Sequence, residues 1–158
     1  MTQRSIVHGA FVVERSYPAS PARVFQAFAD EQAKAKWFAG PDGFVQHEKV
    51  FDFRVGGTEV LVGKHGPSHG GMVSAFYCTY HDIVPNERIV YAYHMLLDGV
   101  PISVSLATIE IKPEDSGTHL TVTEHGVFLD GYEDNGSREQ GTGWLMDQLG
   151  ASLARDTA

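Results

Sequence analysis

Glu124 has the clearest potential for chemistry in this sequence, because alternation places its carboxylate beside apolar side chains. It follows Leu120 and Val122 at intervals of two residues, and a strand with this pattern points all three side chains to the interior. A buried carboxylate tends to have a raised pKa, so it can act as a general base or bind a polar group of a ligand. The alternative is a glutamate at the end of a strand that pairs with Arg138 or meets water.

Aromatic side chains of mixed polarity are predicted to share this interior with Glu124. An apolar pocket with a few polar groups is typical of small-molecule sites, and buried tyrosine hydroxyls need partners that a ligand or a trapped water can supply. The alternative for each ring is that it simply fills a core. The candidate ligand-binding residues are Trp37, Phe53, Phe76, Tyr80, Tyr91, Tyr93, Ile109, Glu124, Gly141 and Leu145.

The sequence gives little support for a metal site or for a catalytic nucleophile. His65 and His69 are close in sequence, but the glycines and the proline around them exclude a regular helix, and no nearby carboxylate or cysteine completes a ligand shell. Cys78, the single cysteine, is predicted to point inward as a small core residue. The glycine-rich loop 63–71 lacks the spacing of a nucleotide-binding loop. The sequence therefore predicts no metal and no cofactor.

The composition excludes several classes of protein. The chain has 158 residues, of which 42% are hydrophobic, and its formal net charge is −8. One domain covering residues 1–158 is expected at this length, and an acidic chain without basic clusters lacks the charge that nucleic-acid binding requires. No apolar run is long enough to insert into a membrane, and the amino terminus lacks the apolar core of a secretory signal. With a single cysteine as well, a cytoplasmic location is predicted.

Caps, turns and periodicity predict the elements that must position these residues. A first strand, Ile6–Tyr17, is followed by two short helices: Ser20 and Pro21 suit the start of the first, and Asp30 caps the second, Glu31–Phe38. Alternation with turns at short intervals then predicts an antiparallel sheet with apolar rows that include Phe51, Phe53 and Val55. Its further strands are predicted at His47–Val55, Thr58–Lys64, Met72–Ile83, Arg88–Leu97, Ile102–Lys112 and His119–Val127.

A long helix at the carboxyl end is predicted to cover the apolar face of that sheet. Residues 137–140 fit a capping box, after which one stripe of the helix carries Leu145, Met146, Leu149 and Leu153. Three glycines lie inside this helix, and each costs about 1 kcal/mol relative to alanine. Gly141 lies on the inward side, where it can leave room for a ligand, whereas Gly143 and Gly150 fall near the outer face.

Five short motifs, in order along the chain, resemble the SRPBCC superfamily in its activator of heat-shock-protein-90 ATPase homologue-like branch. They are the Pro-Ala-Ser-Pro opening of residues 18–25, the Trp-aromatic pair within 36–38, the Asp-x-Arg-x-Gly-Gly turn at 52–57, the Pro-x-Glu-Arg hairpin at 83–91 and Gly-Thr-x-Leu-Thr at 117–121. The resemblance implies an α+β helix-grip (START-like) fold in a single-domain bacterial member. In that fold a curved antiparallel sheet of about seven strands wraps a long carboxyl-terminal helix, with two short helices after strand 1.

This scaffold serves ligand carriers, polyketide cyclases, stress-related proteins and co-chaperone domains. The first expectation is binding of a small hydrophobic molecule, lipid-like or aromatic and polyketide-like, in the internal cavity, with a stress-related role. The second is a cyclase, isomerase or hydrolase that uses Glu124 as its base and a tyrosine as hydrogen-bond donor. The third is a chaperone-associated interaction module, although alternation reveals no contiguous exposed apolar patch. Dimerisation through a sheet edge stays open.

Overall fold

The computed structural model describes residues 3–132 and 135–156 of the chain. Seven strands form one curved antiparallel sheet in the order β1-β7-β6-β5-β4-β3-β2, so the first strand pairs with the last. The strands are β1 (Ile6–Tyr17), β2 (Val45–Phe51), β3 (Thr58–Lys64), β4 (Val73–Val84), β5 (Arg88–Leu97), β6 (Val100–Glu114) and β7 (Gly117–Leu129). Two short helices, α1 (Pro21–Ala29) and α2 (Glu31–Ala35), follow β1, and the long helix α3 (Asn135–Asp156) follows β7.

The two short helices begin where their caps predict. Ser20 caps α1 by accepting a hydrogen bond from the backbone N–H of Arg23, with Pro21 at the first helical position. Asp30 caps α2 through its side chain, which accepts from the N–H of Ala33. The second helix is shorter than predicted, because it ends at Ala35 and residues 36–38 continue as a turn. This turn carries Trp37 into the core.

The strand boundaries agree with the prediction to within two residues, except at the end of β2. This strand stops at Phe51, and residues 52–57 form a turn in which Arg54 Nε lies 2.9 Å from Asp52 Oδ2. Gly57 is required there, since a Cβ at this position would lie 2.2 Å from the Asp52 carbonyl oxygen. The predicted shared face therefore holds for Phe51 and Phe53, whose rings stack with centroids 6.1 Å apart, and is wrong for Val55, which is 58% exposed.

The core lies between the concave face of the sheet and the helices. Strand rows such as Ile89, Ile109 and Val122 are buried against each other across β5, β6 and β7. The apolar stripe of α3 covers them, with Leu149 fully buried, and Tyr17 donates a hydrogen bond of 2.7 Å from its hydroxyl to the Met146 carbonyl. Cys78 is a small core residue, as predicted, and burial raises the pKa of its thiol to about 12.

Helix α3 differs from its prediction in two respects. It begins at Asn135, so Ser137 lies inside the helix and not at its cap. The outward placement of Gly143 and Gly150 is also wrong, because both glycines face β1. A Cβ on Gly143 would lie 3.1 Å from a guanidinium nitrogen of Arg15, and one on Gly150 would lie 3.0 Å from the ring of Tyr17. The glycines therefore allow a close approach of α3 to β1.

The outward face of the sheet is more apolar than alternation suggested. Val12, Val104 and Leu106 are 53%, 50% and 45% exposed, and Val104 pairs with Val127 across β6 and β7. Polar residues lie among these side chains, because Val12 pairs with Thr123 and Leu106 pairs with His125. In the part of the chain that the structure describes, no helix has the length and apolar character needed to span a bilayer.

Candidate ligand-binding cavity

A cavity of about 300 Å³ lies between the concave face of the sheet, the turn after α2 and helix α3. Most of its wall is apolar, with rings and aliphatic side chains from β4, β5, β6, β7 and α3. Gly40, Gly141 and Trp144 are the exposed members of its lining and mark its mouth. Eight of the ten candidate residues line this cavity: Trp37, Phe76, Tyr91, Tyr93, Ile109, Glu124, Gly141 and Leu145.

Phe53 and Tyr80, the other two candidates, lie outside the cavity wall. Tyr80 is 2% exposed, and its hydroxyl donates a 2.6 Å hydrogen bond to Glu59. The ring of Phe53 packs edge-on against Tyr80, with the centroids 4.9 Å apart. Phe53 lies after the end of β2 but on the same side as Phe51, and its ring packs against Tyr80 in the core beside the cavity.

Strand register places Glu124 and Tyr91 on one row across the sheet. Tyr91 pairs with Ala107 on β6, and Ala107 pairs with Glu124 on β7. Because paired residues point to the same face, Tyr91 and Glu124 both face the cavity, on either side of the small Ala107 side chain. The long strands β5, β6 and β7 thus fix the spacing of the two polar groups.

Glu124 lies in the middle of β7 and is 5% exposed, so it neither ends a strand nor meets bulk water. Its Oε1 accepts a 2.6 Å hydrogen bond from the hydroxyl of Tyr93. Arg138 of α3 donates to the same hydroxyl at 3.1 Å and to Ser103 Oγ at 2.8 Å, so Tyr93 bridges the carboxylate and the guanidinium. Burial raises the pKa of Glu124, while the bonds from Tyr93 and Thr142 and the charge of Arg138 oppose this shift.

A second polar cluster, which the sequence analysis missed, joins α2 to the sheet. Lys34 Nζ lies 2.5 Å from Glu59 Oε1, and this same oxygen accepts the bond from Tyr80. Both charged residues are buried, and the ammonium lies 4.8 Å from the centroid of the Phe38 ring. Lys34 also lines the cavity. The available signal was Glu59 itself, which alternates with Leu61 toward the inward face of β3.

At the mouth, His65 and Phe44 form part of the rim. His65 Nε2 lies 2.8 Å from Ser74 Oγ, and the imidazole packs edge-on against Phe44. Burial lowers the pKa of His65, which favours the neutral ring. His69 contacts Ser68 instead. Within residues 3–132 and 135–156, no group of three or more histidine, cysteine or acidic side chains could hold a metal ion.

A seven-stranded antiparallel sheet that wraps a carboxyl-terminal helix, with two short helices after its first strand, defines a helix-grip (START-like) domain. The chain belongs to the Activator of Hsp90 ATPase homolog 1-like protein family, whose model matches residues 18–154. The resemblance carried by the five sequence motifs is therefore confirmed.

Solved structures of bacterial proteins are similar to this chain. An uncharacterised protein from Rhizobium leguminosarum is 44% identical over 98% of this chain and 99% of its own, with a TM-score of 0.90. The Mll3558 protein from Rhizobium loti is also 44% identical, over 94% of this chain and 99% of its own, with a TM-score of 0.85. Protein CV1439 from Chromobacterium violaceum is 28% identical over 91% and 96%, with a TM-score of 0.75. No curated protein matches the chain.

Proposed function

We propose that the protein binds a small hydrophobic molecule, lipid-like or aromatic and polyketide-like, in the cavity between the sheet and α3. The observation that carries this proposal is the cavity of about 300 Å³ whose wall is mainly apolar and aromatic. Sites for small molecules have this combination of an apolar wall and a few placed polar groups. Membership of the family supports the proposal, since its scaffold also serves ligand carriers.

The same proposal covers the biological setting expected from the sequence. The proposal includes one domain spanning residues 1–158, a cytoplasmic location and a stress-related role. The single buried cysteine is consistent with a reducing compartment. The sheet is open, with β1 and β2 at its two edges, and this supports pairing of two copies through one of these edge strands. No chaperone partner is part of the proposal.

Gly141 offers a direct test, because it lies at the mouth and a Cβ there would meet no atom within 4 Å. Gly141→Leu places a branched side chain in the mouth. Gly141→Ala is the matched control, because it removes the same helical glycine but adds only a methyl group. Both variants should be at least as stable as the wild type, since glycine costs about 1 kcal/mol relative to alanine inside a helix. The leucine variant is expected to bind the ligand at least ten-fold more weakly than the wild type, which corresponds to about 1.4 kcal/mol of binding free energy. The alanine variant is expected to bind like the wild type.

Intrinsic fluorescence measures this binding, because Trp37 and Trp144, the only tryptophans of the chain, both line the cavity. Laurate and 2-acetylnaphthalene serve as a lipid-like and an aromatic probe, with native mass spectrometry for the stoichiometry. Saturable one-to-one binding that Gly141→Leu weakens supports the proposal. Absence of binding by both probes, or equal affinity of the folded leucine variant, would contradict it.

A catalytic role is the second candidate, and the buried Glu124 on the cavity wall favours it. A carboxylate with a raised pKa is a stronger base, and Tyr93 holds it in place. A cyclase, isomerase or hydrolase acting on a polyketide-like substrate would use this base. Glu124→Gln is then expected to remove turnover of an enolisable ring ketone, followed as deuterium exchange of its α-protons, and to leave its affinity unchanged. A wild-type protein that binds the ketone without exchange would exclude this role.

A further inference from the structure

The three tyrosines on the inward face of β4 and β5 differ in their hydrogen bonding. Tyr80 donates to Glu59 and Tyr93 donates to Glu124. Among the described residues, no side chain or backbone group forms a hydrogen bond with the Tyr91 hydroxyl. Every fully buried polar side-chain atom of that region has a partner. The Tyr91 oxygen therefore retains accessible surface, and because protein atoms surround the residue, this surface belongs to the cavity.

Tyr91 lies between the core ring of Tyr80 and the ring of Tyr93, which shares the cavity wall with it. Its ring centroid lies 6.0 Å from that of Tyr80 and 5.9 Å from that of Tyr93. Phe76 continues the wall on β4, with its ring 5.1 Å from Tyr93. The planes of neighbouring rings are tilted by 38° to 64°, so the wall offers ring faces and edges against which another ring can pack, and it favours a planar ligand over a flexible chain.

The Tyr91 hydroxyl is a hydrogen-bond donor throughout the physiological pH range. Burial raises its pKa well above the ordinary value, and the nearby negative charge of Glu124 raises it further. A donor in an apolar cavity gains most from a ligand atom that accepts its hydrogen bond, because an unmade bond leaves the desolvated hydroxyl without compensation.

The charged groups around the cavity already face opposite charges. Lys34 forms an ion pair with Glu59, and Arg138 is joined to Glu124 through the Tyr93 hydroxyl. An anionic ligand would enter a site where each cation is matched by a carboxylate, and its own desolvation would be uncompensated. A neutral ligand avoids this cost.

We infer that the cavity selects a neutral, planar ring compound with a carbonyl oxygen that accepts a hydrogen bond from Tyr91, of the class of aromatic ketones. This inference rests on the proposed function and makes Tyr91 its specificity-determining residue. The volume of about 300 Å³ equals that of about ten water molecules in the liquid, which suits a compound of two fused rings.

Three probes of nearly equal shape test the inference. They are 2-acetylnaphthalene, which has the carbonyl, 2-isopropenylnaphthalene, in which a CH₂ group replaces the oxygen, and 2-naphthoate, which has a charged carboxylate. The wild type is expected to prefer the ketone to the alkene by roughly three- to ten-fold, the range of one neutral hydrogen bond. It is also expected to bind naphthoate at pH 7 more weakly than the ketone.

Tyr91→Phe removes only the hydroxyl and is expected to bring the affinity for the ketone down to that for the alkene. The alkene itself should bind the variant as well as it binds the wild type. The melting temperature should not fall, because no hydrogen bond within the described residues is lost. Tyr93→Phe is the control: it leaves Glu124 without its 2.6 Å bond, so it should lower stability and should not act selectively on the ketone.

The outcomes separate the inference from the function on which it rests. Wild-type protein that binds neither laurate nor any of the three naphthalene probes would overturn both, whereas binding of laurate alone would overturn the inference and leave cavity binding intact. Equal affinities of the wild type and Tyr91→Phe for the ketone would overturn the role of Tyr91 and leave cavity binding intact. Tighter binding of naphthoate than of the ketone would overturn the preference for a neutral ligand.

Discussion

At the scale of single residues, Glu124 shows how folding changes the environment of a titratable group. It moves from water to a site where 5% of its surface remains exposed, among the side chains of Tyr93, Thr142 and Arg138. Burial is the dominant influence on its pKa and raises it above the ordinary value of 4.5. The folded protein therefore binds the carboxyl proton more tightly than the unfolded chain does.

This shift predicts how Glu124→Gln changes stability with pH. Below pH 4.5 the carboxyl group is protonated in both states, so wild type and variant should be similar in stability. As the pH rises through the raised folded-state pKa, the wild type must ionise a buried group, and its stability should fall relative to the variant. Urea unfolding between pH 4 and pH 8 measures the difference.

Glu139→Gln, on the exposed face of α3, is the matched control. The stability of this variant relative to the wild type should not rise between pH 4 and pH 8 as that of Glu124→Gln does. A stability advantage of Glu124→Gln that is largest at pH 4 and disappears at pH 8 would contradict the pKa assignment. It would mean that the bonds from Tyr93 and Thr142 outweigh burial.

At the scale of elements, the glycines of α3 illustrate how position decides the effect of one substitution. Gly141 faces open space, so alanine there should gain the helix propensity of about 0.5–1 kcal/mol. Gly150 faces the ring of Tyr17, which is buried and held by its bond to the Met146 carbonyl, so the ring cannot move away.

We therefore expect Gly141→Ala to raise the melting temperature and Gly150→Ala to lower it or leave it unchanged. The two substitutions are chemically identical and lie in one helix, so each is the control of the other. Differential scanning calorimetry gives both values. An equal rise in the two variants would show that α3 can shift away from β1 at no cost.

The same helix shows what the sequence can and cannot predict. Alternation and caps predicted the order of elements and most of their bounds, because these depend on neighbouring residues. The orientation of Gly143 and Gly150 depends on the contact between α3 and β1, two elements far apart in the sequence. Phe53 faces the core as predicted, but which of the inward rings reach the cavity depends on tertiary packing. The pairing of Lys34 with Glu59 joins a helix to a strand that no local pattern connects. Five of the eight cavity residues could be named because strand alternation is also local, and the other three could be named from the apolar sides of the predicted helices.

At the scale of the whole molecule, the two faces of the sheet have different characters. The concave face holds the cavity and the buried polar clusters. The outward face exposes Val12, Val104 and Leu106, together with His94 stacked on Tyr77 at a centroid distance of 5.0 Å. The backbone of the sheet lies between the two faces, so a ligand in the cavity would not contact the outward side chains.

Pairing of β1 with β7 affects how the molecule is made. The residues from Ile6 to Tyr17 leave the ribosome well before their neighbouring strand in the sheet, which begins at Gly117. At about 5–20 residues per second, β1 waits on the order of ten seconds for its partner. The wall that α3 contributes arrives later still. During synthesis the aromatic side chains of β4 and β5 thus lack the cover of α3, and a hydrophobic ligand present at that time meets an open groove before a closed cavity exists.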